Sequence, residues 1–140
     1  MLTQTQLDTL HHLMDRIIPP DQDLGAWDAG VADYLLGQFN RDLRDYLDIY
    51  RAGLDALEAE ALARTQISFA ALPADAQDAL LRQVEAGEVV LTWPVPPQQF
   101  FADAVQHVSE GYYADPGNGA NRDLAAWRMI GFVPGTPEIQ

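Results

Sequence analysis

The sequence contains no cysteine, no lysine and only two serines among its 140 residues. Without cysteine it has no disulfides, thiolate zinc sites, Cys-ligated iron–sulfur clusters or cysteine nucleophiles. Without lysine it has no P-loop lysine, and neither Ser68 nor Ser109 lies in the Gly-x-Ser-x-Gly turn of a serine hydrolase. No apolar run approaches the roughly 20 residues that span a bilayer.

Basic residues are also scarce. The eight arginines face 21 acidic residues, which gives a formal net charge of −13. Because a field of this sign repels phosphate, we expect no nucleic-acid partner and poor binding to anionic lipid surfaces. Without an apolar run long enough to span a bilayer, we also expect no direct membrane insertion. The length fits one domain, residues 1–140, that is large enough to bury a core.

The apolar residues recur mostly at the three- and four-residue spacing of helices. We predict an all-α fold, an irregular bundle of five to six helices, with an extended Pro-rich strap and a C-terminal helix–loop–helix corner. The predicted helices span about Thr5–Ile18, Ala26–Phe39, Arg41–Arg64, Pro73–Ala86, Pro97–Ala114 and Arg122–Ile130. The strap, residues 89–96, contains the apolar run Val89–Trp93, which has no evident partner strand and is followed by prolines.

Histidine–carboxylate pairs suggest two metal sites. Asp8 with His12, and His11 with Asp15, lie four residues apart on the first helix, so each pair shares a face. A solvated face with weak ion pairs is the alternative that we favour. The second site pairs His107 with Glu110 in the spacing of half a di-iron site. The other half has no counterpart in the sequence, so we interpret His107 as a partly exposed or interface histidine.

The segment from Glu110 to Phe132 combines glycine, proline and asparagine with aromatic side chains and arginine. Its sequence is EGYYADPGNGANRDLAAWRMIGF. Gly111 lies inside a predicted helix, where the missing Cβ lets another backbone or ring approach. The segment is either a corner that locks the C-terminal part of the chain onto the core or a recognition surface, since Tyr, Trp and Arg make good interface anchors. The residues that we expect to form the corner or contact a partner are Tyr112, Tyr113, Asn118, Asn121, Arg122 and Trp127.

This segment resembles the C-terminal signature of the gluconate 2-dehydrogenase subunit 3 family, the small (gamma) subunits of FAD-dependent sugar and sugar-acid dehydrogenases. The matching residues are Glu110, Gly111, Tyr112, Asp115, Pro116, Gly119, Asn121, Arg122, Trp127, Ile130, Gly131 and Phe132. Ile17-Ile18-Pro19 with Asp21, and Gly25-Ala26 with Ala29-Gly30-Val31, are similar to earlier family motifs. Ala120 departs from the family's paired glycines.

The resemblance implies a non-catalytic small subunit that holds no cofactor of its own. Its partner would be a large FAD-containing flavoprotein of the glucose–methanol–choline (GMC) type, which it binds, stabilises and helps to export. A cytochrome c would accept the electrons. No catalytic, cofactor-binding or metal-binding residue is expected in this chain.

Two other functions stay open. One is a stand-alone metal-dependent or cofactor-free helical enzyme that uses His11, His12 and His107. The other is an assembly chaperone that leaves the mature dehydrogenase. Many family members begin with a twin-arginine signal, which this chain lacks. We therefore expect a periplasmic location if a signal was removed or the partner carries one, and a cytoplasmic location otherwise.

Overall fold

The structure, a computed structural model, describes residues 2–20, 25–41 and 43–114. Within these ranges the chain forms five α-helices and no strand. The helices are α1 (Gln4–Ile17), α2 (Val31–Gln38), α3 (Leu47–Thr65), α4 (Ala74–Ala86) and α5 (Pro97–Ala114). Short 3₁₀ turns at Arg44–Tyr46 and Phe69–Ala71 precede α3 and α4, and the strap has no regular secondary structure. The predicted all-α class is confirmed.

Helix α1 begins with a reciprocal cap. The Thr3 side chain accepts from the Gln6 backbone N–H at 3.1 Å, and the Gln6 side chain accepts from the Thr3 N–H at 2.8 Å. These two bonds satisfy donors that a helix start otherwise leaves free. The helix ends before Pro19 and Pro20, as predicted, because proline has no N–H to continue the ladder.

Helix α2 starts later than predicted. Ala26 to Gly30 form consecutive turns, in which the Gly30 N–H donates to the Trp27 carbonyl at 3.1 Å. Gly30 then adopts a left-handed conformation with φ of +88°, and the helix begins at Val31. The prediction of a helix from Ala26 is therefore wrong, because this left-handed residue interrupts the helical path.

Helix α3 also starts later than Arg41. The chain turns after α2, with the Leu43 N–H donating to the Gln38 carbonyl at 2.8 Å, and forms a 3₁₀ turn before α3 begins at Leu47. Helices α4 and α5 occupy their predicted positions to within one residue. Gly87, with φ of +76°, ends α4 directly after the predicted last residue, Ala86.

The core lies where α5 meets α2, α3 and α4, and where α1 meets α3 and α4. Helix α5 thus contacts every other helix, since it also touches α1. The largest fully buried side chains are Leu10, Leu13, Met14, Ile18, Leu35, Phe39, Tyr50, Leu54, Leu57, Glu60, Phe69 and Tyr112. One carboxylate, that of Glu60, is among them.

Two glycines allow α5 to approach its neighbours closely. A Cβ added at Gly53 of α3 would overlap the Phe100 ring of α5. A Cβ added at Gly111 of α5 would lie 2.6 Å from the Tyr34 ring and 2.9 Å from the Val31 side chain of α2. The close approach of another ring that was predicted at Gly111 is confirmed.

No helix in the described part of the chain is both long and apolar enough to cross a bilayer. The predicted sixth helix, Arg122–Ile130, and the C-terminal corner beyond Ala114 lie outside the described residues.

Substituting Gly53 with alanine tests the close packing of α3 on α5. We expect Gly53→Ala to lower the free energy of unfolding by about 2 kcal/mol, because overpacking outweighs the gain in helix propensity. Gly37→Ala in α2 is the matched control, since its Cβ would meet only the Arg41 guanidinium at 3.4 Å. Denaturant unfolding measures both, and equal stability of the two variants would contradict the packing described here.

Candidate functional site

The strap is attached to α3 through the buried carboxylate of Glu60, whose side chain is 0% exposed. Its Oε2 accepts from the Val90 N–H at 2.6 Å and from the Arg64 Nε at 2.8 Å. Its Oε1 accepts from the Leu91 N–H at 3.2 Å and from the Trp93 indole N–H at 3.1 Å. One side chain therefore satisfies two backbone donors and one ring donor of the strap while pairing with an arginine on its own helix.

Burial and hydrogen bonding act on the pKa of Glu60 in opposite directions. Desolvation, the largest single influence, raises this pKa, whereas the bonds from Val90, Arg64, Trp93 and Leu91 lower it. The bonds together prevail, and the pKa lies below its ordinary value of 4.5. The carboxylate is therefore ionised at neutral pH and acts as an acceptor at both oxygens.

A groove of about 430 Å³ lies between the strap and α3. Its helical wall is formed by one stripe of α3, and its other wall by four consecutive strap residues. The lining residues are Ala52, Asp55, Ala56, Ala59, Leu91, Thr92, Trp93 and Pro94. The groove is mostly apolar, and its charged lining residue, Asp55, is held by the Gln6 amide at 3.0 Å.

Large apolar side chains are exposed on and near the strap. Val90 is 61% exposed and Leu91 is 39% exposed, while their backbone N–H groups bond Glu60. Leu62 on α3 is 43% exposed. It lies outside the inward stripe that buries Leu54, Leu57 and Ala61.

His107 is buried rather than partly exposed, which corrects its predicted environment. Its Nδ1 lies 2.9 Å from the Tyr50 hydroxyl, and the Tyr46 ring packs edge-on against the imidazole. Burial raises the pKa of Tyr50, so the phenol stays protonated. Burial also lowers the pKa of His107, although Glu110 and Asp103 act against this shift. The pair is a neutral link between α3 and α5.

The histidines of α1 are engaged with other side chains. His11 stacks on the Trp27 indole at 4.3 Å and lies 3.2 Å from Asp15. His12 Nδ1 lies 3.2 Å from the amide of buried Gln77 on α4, and desolvation followed by the neighbouring His11 lowers the pKa of His12. No group of three or more potential ligands suited to a metal ion occurs in the described ranges.

Two of the six predicted corner or contact residues lie in the described part of the chain. Tyr112 is fully buried in the core, and Tyr113 is half-buried with its ring 5.7 Å from that of Tyr112 in an edge-on arrangement. Tyr112 therefore belongs to the core of the described part of the chain. The four outside the described residues are Asn118, Asn121, Arg122 and Trp127.

Neither the role of Glu60 nor the groove was predicted from the sequence. The local signal was weak, since Glu60 is followed four residues later by Arg64, the spacing of an ordinary exposed ion pair. Its strap partners lie about 30 residues away in the sequence. The alanines of α3 at helical spacing, Ala52, Ala56 and Ala59, were a second signal, but they do not show by themselves what packs beside them.

Replacing Glu60 tests its role in holding the strap. An amide has one acceptor oxygen and turns its N–H₂ group toward existing donors, so we expect Glu60→Gln to lower the free energy of unfolding by about 3 kcal/mol. Hydrogen exchange at the Val90 and Leu91 amides should accelerate as well. Glu85→Gln, an exposed change on α4, serves as the control, and unchanged Val90 and Leu91 exchange in Glu60→Gln would refute the proposed role.

The lowered pKa of Glu60 also predicts a pH dependence. The unfolded chain binds the proton more tightly than the folded chain, so the carboxylate's stabilisation is complete above about pH 5 and declines as the pH falls through the lowered folded value. The stability difference between wild type and Glu60→Gln should therefore shrink on acidification from about pH 6 to about pH 3. Urea unfolding at several pH values measures it; a constant difference would contradict the assignment.

Comparison with known families shows what this chain is similar to. A family model described as gluconate 2-dehydrogenase subunit 3 matches residues 4–135, which is nearly the whole chain. Comparisons with curated proteins and with solved structures found no match. The family match includes every helix described above as well as the aromatic C-terminal segment, and it confirms the resemblance read from the sequence. The chain therefore belongs to the gluconate 2-dehydrogenase subunit 3 family.

Proposed function

We propose that the chain is a non-catalytic small subunit that binds and stabilises a large FAD-dependent dehydrogenase subunit of the GMC type. Membership of a family named for a dehydrogenase subunit carries this proposal, because it suggests an accessory subunit of a dehydrogenase complex. The FAD would reside in the large subunit, which would oxidise a sugar, glycoside or polyol. A cytochrome c would serve as the electron acceptor.

The described side chains support a binding role. Glu60 and His107, both buried, form hydrogen bonds within the chain that join one element to another. Exposed apolar side chains, in contrast, occur on a strap that is held firmly against α3. A rigid surface of this kind is typical of a docking partner, since little ordering is required on association.

Such a subunit stabilises its partner by mass action. A chain that binds the folded flavoprotein and not the unfolded one shifts the folding equilibrium by an amount that grows with its concentration relative to Kd. We place the complex in the periplasm if a signal was removed from this chain or the partner carries one, and in the cytoplasm otherwise.

Co-expression tests the proposal directly. The chain is produced with its large flavoprotein subunit, purified through a tag on the small chain, and examined for a flavin spectrum and sugar-dependent dye reduction. We expect a yellow, active complex and a colourless, inactive isolated chain. Substrate turnover by the isolated chain would overturn the proposal, and loss of the small chain from the mature enzyme on size exclusion would identify it as an assembly chaperone instead.

The C-terminal segment supplies a mutational prediction. We expect Trp127→Ala to lower the yield of the complex, with Kd weakened about tenfold, because tryptophans frequently dominate interface energies. Arg122→Ala should weaken the complex less. Arg82→Ala, on the exposed face of α4, is the matched control for the arginine change. Binding is measured by titration of purified components, and wild-type affinity in Trp127→Ala would remove this segment from the interface.

A further inference from the structure

The groove between α3 and the strap points to a second docking surface. We propose that it receives a segment of the large flavoprotein subunit that carries apolar side chains next to arginine or lysine; this rests on the proposed function and names where that partner binds. The surface, called the strap groove, consists of the lining residues of α3 and the strap given above. It is separate in sequence from the aromatic C-terminal segment.

The shape of the strap groove suits side chains rather than a flat contact. The wall formed by α3 projects little into the groove, because Ala52, Ala56 and Ala59 present only methyl groups. The half-buried Trp93 forms the opposite wall together with Pro94. A concavity of about 430 Å³ has room for a few side chains of a partner. Tryptophan beside a pocket is a frequent centre of binding energy.

The apolar surface continues beyond the groove along the strap. Val90 is the most exposed of the large apolar residues in the described ranges, and Leu91 both lines the groove and is 39% exposed. Contiguous exposed apolar surface of this kind on a folded chain commonly marks an interaction site. The strap keeps these side chains exposed because Glu60 holds its backbone, so the exposure is a property of the folded state.

Charge complementarity identifies the occupant. Asp55 lines the groove, and the exposed Glu88 immediately precedes the strap. Asp48, two turns earlier on α3, pairs with Arg51 at 3.1 Å, so these two charges offset each other. Arg64, the nearest arginine on α3 to the strap attachment, is already bound to Glu60 and to the Glu88 carbonyl. The surroundings of the groove are therefore acidic, and a basic segment gains both attraction and faster association there.

Charge also disfavours the other possible occupants of the strap groove. A second copy of the chain would bring another formal charge of −13 against this surface. Residues 115–140 of this chain contain two arginines and three acidic residues, so they offer no basic complement either. A large subunit with a basic, apolar segment satisfies both the shape and the charge of the groove.

Arginine substitutions test whether the groove is used. In the full chain, Ala59→Arg fills the groove, whereas Ala79→Arg places the same residue on an exposed position of α4 outside it. We expect Ala59→Arg to weaken Kd for the purified flavoprotein about tenfold or more and Ala79→Arg to leave it unchanged. Circular dichroism checks folding, and Thr92→Arg on the exposed strap replaces Ala59→Arg if that variant fails to fold.

Neutralising the rim tests the charge argument. Asp55→Asn should weaken binding about threefold and reduce the salt dependence of association, while Glu85→Gln, the exposed control on α4, should change neither. Equal effects of the two neutralisations would mean that only the overall charge matters, which overturns the assignment of a basic segment to this groove.

Cross-linking identifies the occupant. A photo-reactive amino acid replaces Thr92 in the full chain, and a second preparation carries it at Ala79 as the control. Cross-links from position 92 to an arginine- or lysine-containing peptide of the flavoprotein support the proposal. Cross-links to residues 115–140 or to a second copy, or none at all, overturn it.

The outcomes separate the two proposals. If the wild-type chain captures no flavoprotein, the proposed function fails and the groove's occupant fails with it. If the wild-type complex forms and Ala59→Arg binds with wild-type affinity, the function stands and the strap groove is excluded from the interface.

Discussion

The burial of one carboxylate fixes the position of the strap on α3. Glu60 gives up hydration inside the bundle, which is unfavourable for any charge unless donors replace the water. Arg64 and three groups of the strap supply those donors, so the strap gains a fixed position without forming helix or sheet. Strap backbone groups that would otherwise need water bond protein instead. The groove lies between the strap held in this way and the alanine face of α3.

The position of α5 depends on a different constraint, the lack of side chains at two glycines. Gly53 admits the Phe100 ring from one side, and Gly111 allows the last turns of α5 to lie against Tyr34. The buried Tyr50–His107 bond adds a polar link between α3 and α5. Since Gly111 belongs to the family signature, part of that signature serves internal packing. The ring that was expected to approach Gly111 is that of Tyr34 on α2.

The predictability of each element follows the range of the interactions that fix it. Helices α1, α4 and α5 are bounded by prolines, a glycine and an N-terminal cap, all local signals, and their positions could be predicted to within one or two residues. The start of α2 could not, because apolar spacing continues through Ala26 to Gly30 although the backbone turns there. Glu60 could not be found from its neighbours, since its environment is created by residues about 30 positions away. The family, in contrast, was recognisable from its motif alone.

Rigidity of the strap bears on the energetics of association. A flexible apolar segment would lose rotational and backbone freedom on binding, which offsets part of the gain from burying Val90 and Leu91. In this chain that ordering has already occurred during folding, because both backbone N–H groups are bonded to Glu60. The hydrogen bonds formed on folding thus fix an apolar surface in an exposed position, where its side chains do not add to the core. A surface maintained in this way is more easily understood as one half of an interface than as a connection between α4 and α5, for which a polar loop would suffice.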